Sequence, residues 1–447
     1  MKIEVRRRDI IKPSSPTPQS LRTYNFSIVD QLSVNVKIPY VRFYDSPGSS
    51  RDYNGVVDEL KKSLSQTLSL MYPLAGRIKE DRSSIECNDQ GVEFIEGDVA
   101  ESLSSFLENP DFEMIREMVP CNPFTGAFEP NPDGRVLVIQ VNRFSCGGIS
   151  VGLIMSHAIG DGASISVFAN TWARINRGCA VVDDGGFIFD ASKIFPPVKN
   201  TADLDQFARV ARGAAESQEK YVVRRFYIPA SAIDQLREQL RLISHYRPSR
   251  AEALIAVVWD AVIAANQKRH KGRINLHVLT SILNLRNRME PPFPENCLGN
   301  NTYGATVHWN QPTEGNPSRH ALALKFRDAI RGVNDEAARR RYGKGGFLHT
   351  ALPIMSEIIK HEGSKKNMYC LYTSSLLGMQ VYAADFGWGK PRWAVNAQVM
   401  KDSVVFMEGR FGGVDLWMGL PEELMNIVMK NPQFVEFVSA GFSKSKL

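Results

Sequence analysis

The stretch Ile149-Ser150-Val151-Gly152-Leu153-Ile154-Met155-Ser156-His157-Ala158-Ile159-Gly160-Asp161-Gly162 changes texture halfway along. Ile149–Ile154 is a short, mostly apolar run rich in branched residues, the pattern of a buried strand. Ala163–Ala173, just beyond, carries its apolar residues at helical spacing. The reading is strand, turn, helix, with His157 at the strand's exit. Gly160 and Gly162 flank Asp161 and let the backbone turn sharply and come close to another group.

Working outward, Ile3 and Val5 alternate with charged residues until PSSPTPQ (13–19) breaks the strand. VNVKIPYVRFY (34–44) alternates again, a second strand. Val57, Leu60, Leu64, Leu68 and Met71 recur at three and four, which predicts an amphipathic helix over 56–71. It stops at the Tyr72–Arg77 turn. SIECNDQGVEFIEG (84–97) reads as a hairpin about Asn88–Gly91, and 136–144 as a buried strand. Beyond Trp172 an acidic, glycine- and proline-containing stretch over 176–220 reads as a linker. The second half resumes with a strand at 221–228, helices at 231–244 and 250–265, and strands at 274–283, 302–308, 379–383, 393–399 and 403–407. Strands and helices mix without a regular βαβ rhythm, so the class is α/β in the mixed, α+β sense.

At 447 residues the chain has room for two or three domains. Lys+Arg 54 against Asp+Glu 48 leaves +6, compatible with an anionic small molecule and too mild to argue for nucleic acid. No basic cluster is interleaved with aromatics. The six cysteines are scattered without a CxxC pair, which reads as reduced thiols in a soluble intracellular protein. MKIEVRRRDIIKP is charged where a signal peptide would be apolar. Leu254–Ala265, interrupted by Asp260, is too short to span a membrane. The final Ser445-Lys446-Leu447 matches a peroxisomal address, against a cytoplasmic expectation for the rest.

Chemically, His157 suits a general base, since a neutral imidazole accepts a proton near neutral pH. Asp161 could orient the ring or hold the turn. A metal would need a third ligand, and no HExxH or clustered His/Cys set supplies one, so no metal is expected. The plain alternative is a satisfied turn histidine. A second constellation, Ala384-Asp385-Phe386-Gly387-Trp388-Gly389-Lys390-Pro391, reads either as a site lined by Trp388 or, preferably, as a structural turn at a domain junction.

HAIGDG (157–162) together with DFGWGKP (385–391) resembles the plant BAHD acyl-CoA-dependent acyltransferases, with HxxxDG mid-chain and DFGWG near the C-terminus. PSSPTPQSL (13–21), YPLAGR (72–77), CGG (146–148), NLRNRMEPPFP (284–294) and LGN (298–300) extend the resemblance along the whole chain. The motif detail is most similar to the branch holding vinorine synthase and deacetylvindoline acetyltransferase. The resemblance implies two chloramphenicol-acetyltransferase-like domains with a solvent channel between them. They would be an HxxxDG domain at 1–180, a crossover at 181–219 and a DFGWG domain at 220–447.

It also implies His157 as catalytic base, with Asp161 completing the motif by turning away from the channel toward Arg286. Gly162, Asp385, Phe386, Gly387, Trp388 and Gly389 would be structural. For CoA it points to Ser249, Arg250, Arg286 or Arg288, and Lys390, each otherwise readable as a solvated surface group. Trp388, a hydroxyl in Thr373-Ser374-Ser375, or main-chain N–H groups would stabilise the oxyanion. The expected partners are acyl-CoA, with acetyl-CoA favoured over malonyl or aromatic donors, and a bulky alkaloid or terpenoid alcohol. No cofactor is resident, no nucleic acid or membrane is involved, and a monomer is expected. Glu295–Asn300 stands where flavonoid-glycoside members carry YFGNC, which argues against that substrate class. The competing readings are a non-catalytic binding member of the fold and a carrier-dependent condensation domain.

Overall fold

The computed structural model describes residues 3–33, 36–48, 52–108, 110, 112–120, 133–181, 186–199, 204, 219–244, 246–347, 349 and 367–439. The terminal Ser445-Lys446-Leu447 and most of the expected crossover lie outside these residues.

Two six-stranded sheets organise the described residues. The first runs β1 (Ile3–Ile11), β6 (Val92–Val99), β7 (Leu137–Phe144), β8 (Ile149–Ser156), β3 (Lys37–Tyr44) and β13 (Trp393–Asn396). The second runs β11 (Thr302–Asn310), β10 (Leu276–Asn284), β12 (Met368–Ser375), β14 (Ser403–Glu408), β15 (Val414–Pro421) and β9 (Tyr221–Ile228). A small sheet joins β2 (Thr23–Asn25), β5 (Ser84–Glu86) and β4 (Arg77–Ile78). The β6–β7, β10–β12 and β12–β14 pairs are parallel and the others antiparallel, which makes the fold mixed α/β.

The helices follow their apolar patterns. In α1 (Ile28–Gln31) Ser27 and Asp30 form a reciprocal cap. In α2 (Tyr53–Leu70) the stripe Val57, Leu60, Leu64 and Leu68 is fully buried. α3 (Gly162–Asn176) packs against α2. In the second half, α5 (Arg250–Arg269) is flanked by α4 (Ala230–Ser244) and α6 (Arg319–Arg331). Leu254, Val257, Val258, Trp259, Val262 and Ile263 of α5 are all buried. A helix apolar on nearly every side has to be surrounded, which explains why 254–265 reads so much like a lipid-facing segment.

Three expectations are corrected. Residues 84–97 are no hairpin: β5 pairs with β2 and β4, while β6 pairs with β1 and β7. The intervening turn is pulled elsewhere, because Asp89 accepts from Thr17 N at 3.0 Å and pairs with Arg22 at 3.1 Å. Residues 379–383 are not a strand. Their alternation belongs to a crossover whose carbonyls at Gln380 and Val381 accept from side chains of Asn170 and Arg42. The true strand, β12, lies just before them. Finally, the block 220–447 is not confined to one half. β13 adds to the first sheet beside β3, and Phe386 and Trp393 are buried in the first core.

That exchange is held by a buried acid. Asp415 of β15, 1% exposed, accepts from Arg225 Nε at 2.9 Å and from Trp393 Nε1 at 3.0 Å. Trp393 stacks on Phe43 at 5.6 Å and on Trp417 at 6.3 Å, so one indole touches both sheets. Removing the acid would leave Arg225 without its partner, a loss of about 3 kcal/mol for a largely buried pair. Asp415→Ala should lower the urea midpoint accordingly and red-shift tryptophan emission. An unchanged midpoint would mean the junction is held by ring packing alone.

Candidate active site

β8 delivers its chain to the turn through a fixed set of main-chain bonds. Ser156 N donates to Val136 O at 2.8 Å and His157 N to Val36 O at 2.7 Å, so both neighbouring strands hold the exit. Asp161 then caps α3, accepting from Ser164 N at 3.0 Å. An aspartate there satisfies an otherwise orphaned amide and places negative charge at the helix's positive end.

The same carboxylate does more than cap. Arg286 Nη1 donates to its Oδ2 at 2.7 Å and Nη2 to its Oδ1 at 3.1 Å, a two-pronged pair with Arg286 1% and Asp161 4% exposed. Asn301 N donates to Oδ2 at 3.2 Å. Arg286 Nη2 also reaches Ser164 Oγ, Cys297 O and Gly299 O. Gly299 N in turn donates to Ile159 O at 2.8 Å, and Ser164 Oγ to Gly299 O at 3.1 Å. The HxxxDG turn and the LGN loop are thereby zipped together across the halves. Gly299 has φ +120°, and a Cβ there would come within 3.2 Å of Asn301 Nδ2 and 3.3 Å of the Tyr24 hydroxyl. On the loop's other flank, Asn300 N donates to buried Asp30 at 2.9 Å.

Burial would raise the Asp161 carboxyl, but the Arg286 charge and hydrogen bonds outweigh it and hold the group below its ordinary value. The imidazole of His157 moves the other way in charge. Burial pushes it below its ordinary 6.5, against the weaker pull of its own carbonyl and of Asp161. The ring is half-buried, and Nδ1 is sealed without a hydrogen-bond partner. His157 is thus neutral at pH 7, and Asp161 bonds the arginine and its cap.

The second motif lies elsewhere. Asp385 Oδ1 accepts from Gly387 N at 2.8 Å and Gly389 N at 3.0 Å, and both glycines have positive φ. Phe386 stacks with Trp388 at 5.4 Å and meets Trp172 edge-on at 4.9 Å. Trp388 packs against Tyr44, which pairs with Ile149, whereas Lys37 pairs with Ser156 beside the histidine. Seven residues of strand separate these ends, about 23 Å. DFGWG is a docking turn on the first core, and Trp388 is remote from His157. The end of β12 is close instead. A Cβ on Gly162 would lie 2.5 Å from Leu376 Cδ2 and 3.1 Å from Met379 Sδ, and upstream Thr373 Oγ1 is buried without a partner.

The candidate CoA contacts are placed unequally. Arg286 is corrected outright: both its Nη groups are committed, to Asp161, Ser164 and the Cys297 and Gly299 carbonyls, which leaves neither for a phosphate. Arg288 donates to the Ile330 and Val333 carbonyls at 2.7 and 2.9 Å, closing the end of α6. Arg250 pairs with Glu408 at 2.6 Å, and Ser249 caps α5 with its side chain accepting from Glu252 N. Lys390 is exposed, and among the described residues it makes no ion pair. Ser164, Asn301 and Arg42 carried no sequence signal that singled them out. Among the described residues no three metal-ligating side chains converge, and no helix is long and apolar enough to cross a membrane.

The fold and the zipped HxxxDG turn define an acyltransferase of the mixed α/β, two-sheet type. Residues 1–435 match the Transferase family, and the chain belongs to it, that is, to the BAHD acyltransferases. It is 34% identical over 440 residues to limonoid 21-O-acetyltransferase of Melia azedarach, covering 98% of this chain and 99% of that one. It is 32% identical over 455 residues to vinorine synthase of Rauvolfia serpentina, covering 98% of each. A crystal structure of vinorine synthase superposes with a TM-score of 0.81 at 29% identity over 98% of both chains. F. sporotrichioides TRI101, solved with coenzyme A and T-2, shares the fold with a TM-score of 0.71 at 16% identity, over 93% of this chain and 98% of that one.

Breaking the Asp161–Arg286 pair from either side would strand a buried charge at about 3–5 kcal/mol. Asp161→Ala and Arg286→Ala should each lower the melting temperature and kcat together. The double variant should lose much less than the sum, because one interaction is removed twice. Additive losses would show that the two residues act independently.

Proposed function

We propose that the protein transfers an acetyl group from acetyl-CoA to a hydroxyl of an alkaloid or terpenoid, with His157 as general base. The observation that carries the reading is the division of labour at the turn. Asp161 is consumed by Arg286, while a neutral imidazole with lowered basicity stands at the strand's exit. The relatives named acetyltransferases support the donor, and the limonoid and stemmadenine in those names support the acceptor class.

In this mechanism the acceptor hydroxyl gives its proton to His157 as its oxygen attacks the thioester carbonyl. The tetrahedral oxyanion collapses, the C–S bond breaks, and the proton returns to the departing CoA thiolate. No acyl-enzyme forms, so no cysteine acts as nucleophile. Thr373, at the β12 end that leads to Gly162, keeps an unspent hydroxyl for the oxyanion. Holding both substrates at one base supplies the rest of the acceleration.

His157→Ala should lower kcat by roughly 10²–10⁴-fold with the melting temperature nearly unchanged. In the wild type, kcat/KM should fall as pH drops, with its acid limb below 6.5, because burial disfavours the imidazolium. Near-normal turnover by the alanine variant, or an acid limb above 6.5, would refute the assignment. The same CoA-release assay with a panel of alkaloid and terpenoid alcohols, scored by product mass, identifies the acceptor. Acetyl-CoA should outperform malonyl-CoA on every productive alcohol, and the reverse preference would overturn the donor.

A further inference from the structure

β3 carries an anomaly. Arg42 sits in the middle of KIPYVRFY, 1% exposed, yet among the described residues no carboxylate pairs with it. Its Nε donates to Val381 O at 3.2 Å, its guanidinium lies over the Tyr40 ring at 4.7 Å, and Nη2 has no partner. Two further buried hydroxyls lie near it with their protons unspent, Tyr40 under the guanidinium and, next to Val381, Tyr382, whose oxygen the Ala394 amide reaches. Burial pushes both phenols well above their ordinary range, so they remain donors at any working pH. The nearby acid does not balance the charge. Asp415 acts on both tyrosines but is already matched by Arg225 and Trp393. This region of the interior holds one cation too many, and a buried unpaired cation is costly unless something answers it.

Its position says what could answer it. The β3–β8 register puts Ile38, Tyr40 and Arg42 on one face, and Val36, just before β3, bonds the His157 amide. The guanidinium leans back over Tyr40 toward that end. From Val36 to Tyr40 is about 13 Å of strand. The crossover gives a second measure: Met379 abuts Gly162, and Val381, two residues on, receives Arg42. Along the strand the surplus cation therefore lies about 13 Å or more from His157. A malonyl carboxylate is only two carbon–carbon bonds from the thioester carbonyl, too short to span that gap. The far end of a polycyclic acceptor reaches it.

We propose that Arg42, with the hydroxyls of Tyr40 and Tyr382, binds a carboxylate on the acceptor, remote from the hydroxyl that is acylated. This rests on the acyltransferase reading above and narrows its acceptor to a hydroxy acid.

The test uses a matched pair of probes, a pentacyclic triterpene with a hydroxyl at one end and a carboxyl at the other, and its methyl ester. In thermal shift without any donor, the acid should stabilise the wild type more than the ester does. Arg42→Met should abolish that difference, and Tyr382→Phe should reduce it. In turnover with acetyl-CoA, the acid should be preferred by about 10-fold or more in kcat/KM. Arg42→Met should remove the preference through KM for the acceptor, leaving KM for acetyl-CoA unchanged. Without ligand, Arg42→Met should melt at or above the wild type, because an apolar side chain replaces an unanswered charge. Equal shifts of the wild type by acid and ester, zero included, would overturn the proposal. So would a variant that melts several degrees lower, which would make Arg42 a strut for the crossover. Selective binding of the acid without CoA release would instead sink the acyltransferase reading and leave the carboxylate site standing.

Discussion

The structure around the site depends on one buried ion pair. Asp161 and Arg286 are 125 positions apart in the chain, and neither can be charged in the interior without the other. Around them most of the remaining lone pairs and protons are used, with Arg286 Nε left over. Asp161 caps α3 and receives Asn301, while Arg286 spans Ser164, Cys297 and Gly299. So many directed partners separate a pair that specifies a geometry from one that only tolerates burial. What it specifies is the exit angle of β8, and so the place of the His157 ring. Carboxylate and imidazole are not bonded to each other: the carboxylate that could have raised the imidazole's basicity directly is turned toward an arginine. Desolvation is left to lower it.

The same device recurs at the other junction. Asp415 binds Arg225 within the second sheet and the Trp393 indole of the strand exchanged into the first. Between the two acids runs the 376–386 crossover, which has no ladder partner. Its carbonyls are taken by side chains, from Asn170, Arg42, Tyr44 and Asn176. A segment held by side-chain donors can pass over the HxxxDG turn at Gly162 and still deliver DFGWG to the first core. This accounts for a second motif that stands about 23 Å along the sheet from the HxxxDG turn.

How much of this is legible in the sequence follows from the range of each interaction. β8, its turn and α3 are local, so the change from apolar run to helical period displays them, down to the aspartate cap. α2 is legible for the same reason. The exchange of β13 is not, because four residues carry no mark of which distant edge they will join. The 84–97 stretch has hairpin chemistry, yet Asp89 is claimed by Thr17 and Arg22 from another part of the chain. Arg286 drew two incompatible expectations from one motif, partner of Asp161 and contact for CoA. Only the partners separate them, since a guanidinium whose two Nη groups are already committed cannot also meet a phosphate. Arg42 drew no expectation at all, because a lone cation within an alternating strand is silent about pairing.

Pairing is where the charge arrangement becomes informative. Asp161 meets Arg286 and Asp415 meets Arg225, so the two acids at the junctions are each answered by an arginine, and by more than charge. Arg42 alone among these arginines has no carboxylate across from it among the described residues. A fold that could bind Val381 O with a neutral donor had no structural need of a guanidinium at that position. Apolar residues of similar volume commonly replace buried charges at no loss of stability, so a charge kept there is a cost without a structural return. Costs of this kind collect where a molecule has to be complementary to something other than itself. The part of β3 around Arg42, under the crossover, is where that complement would lie for an acceptor long enough to present its hydroxyl to His157.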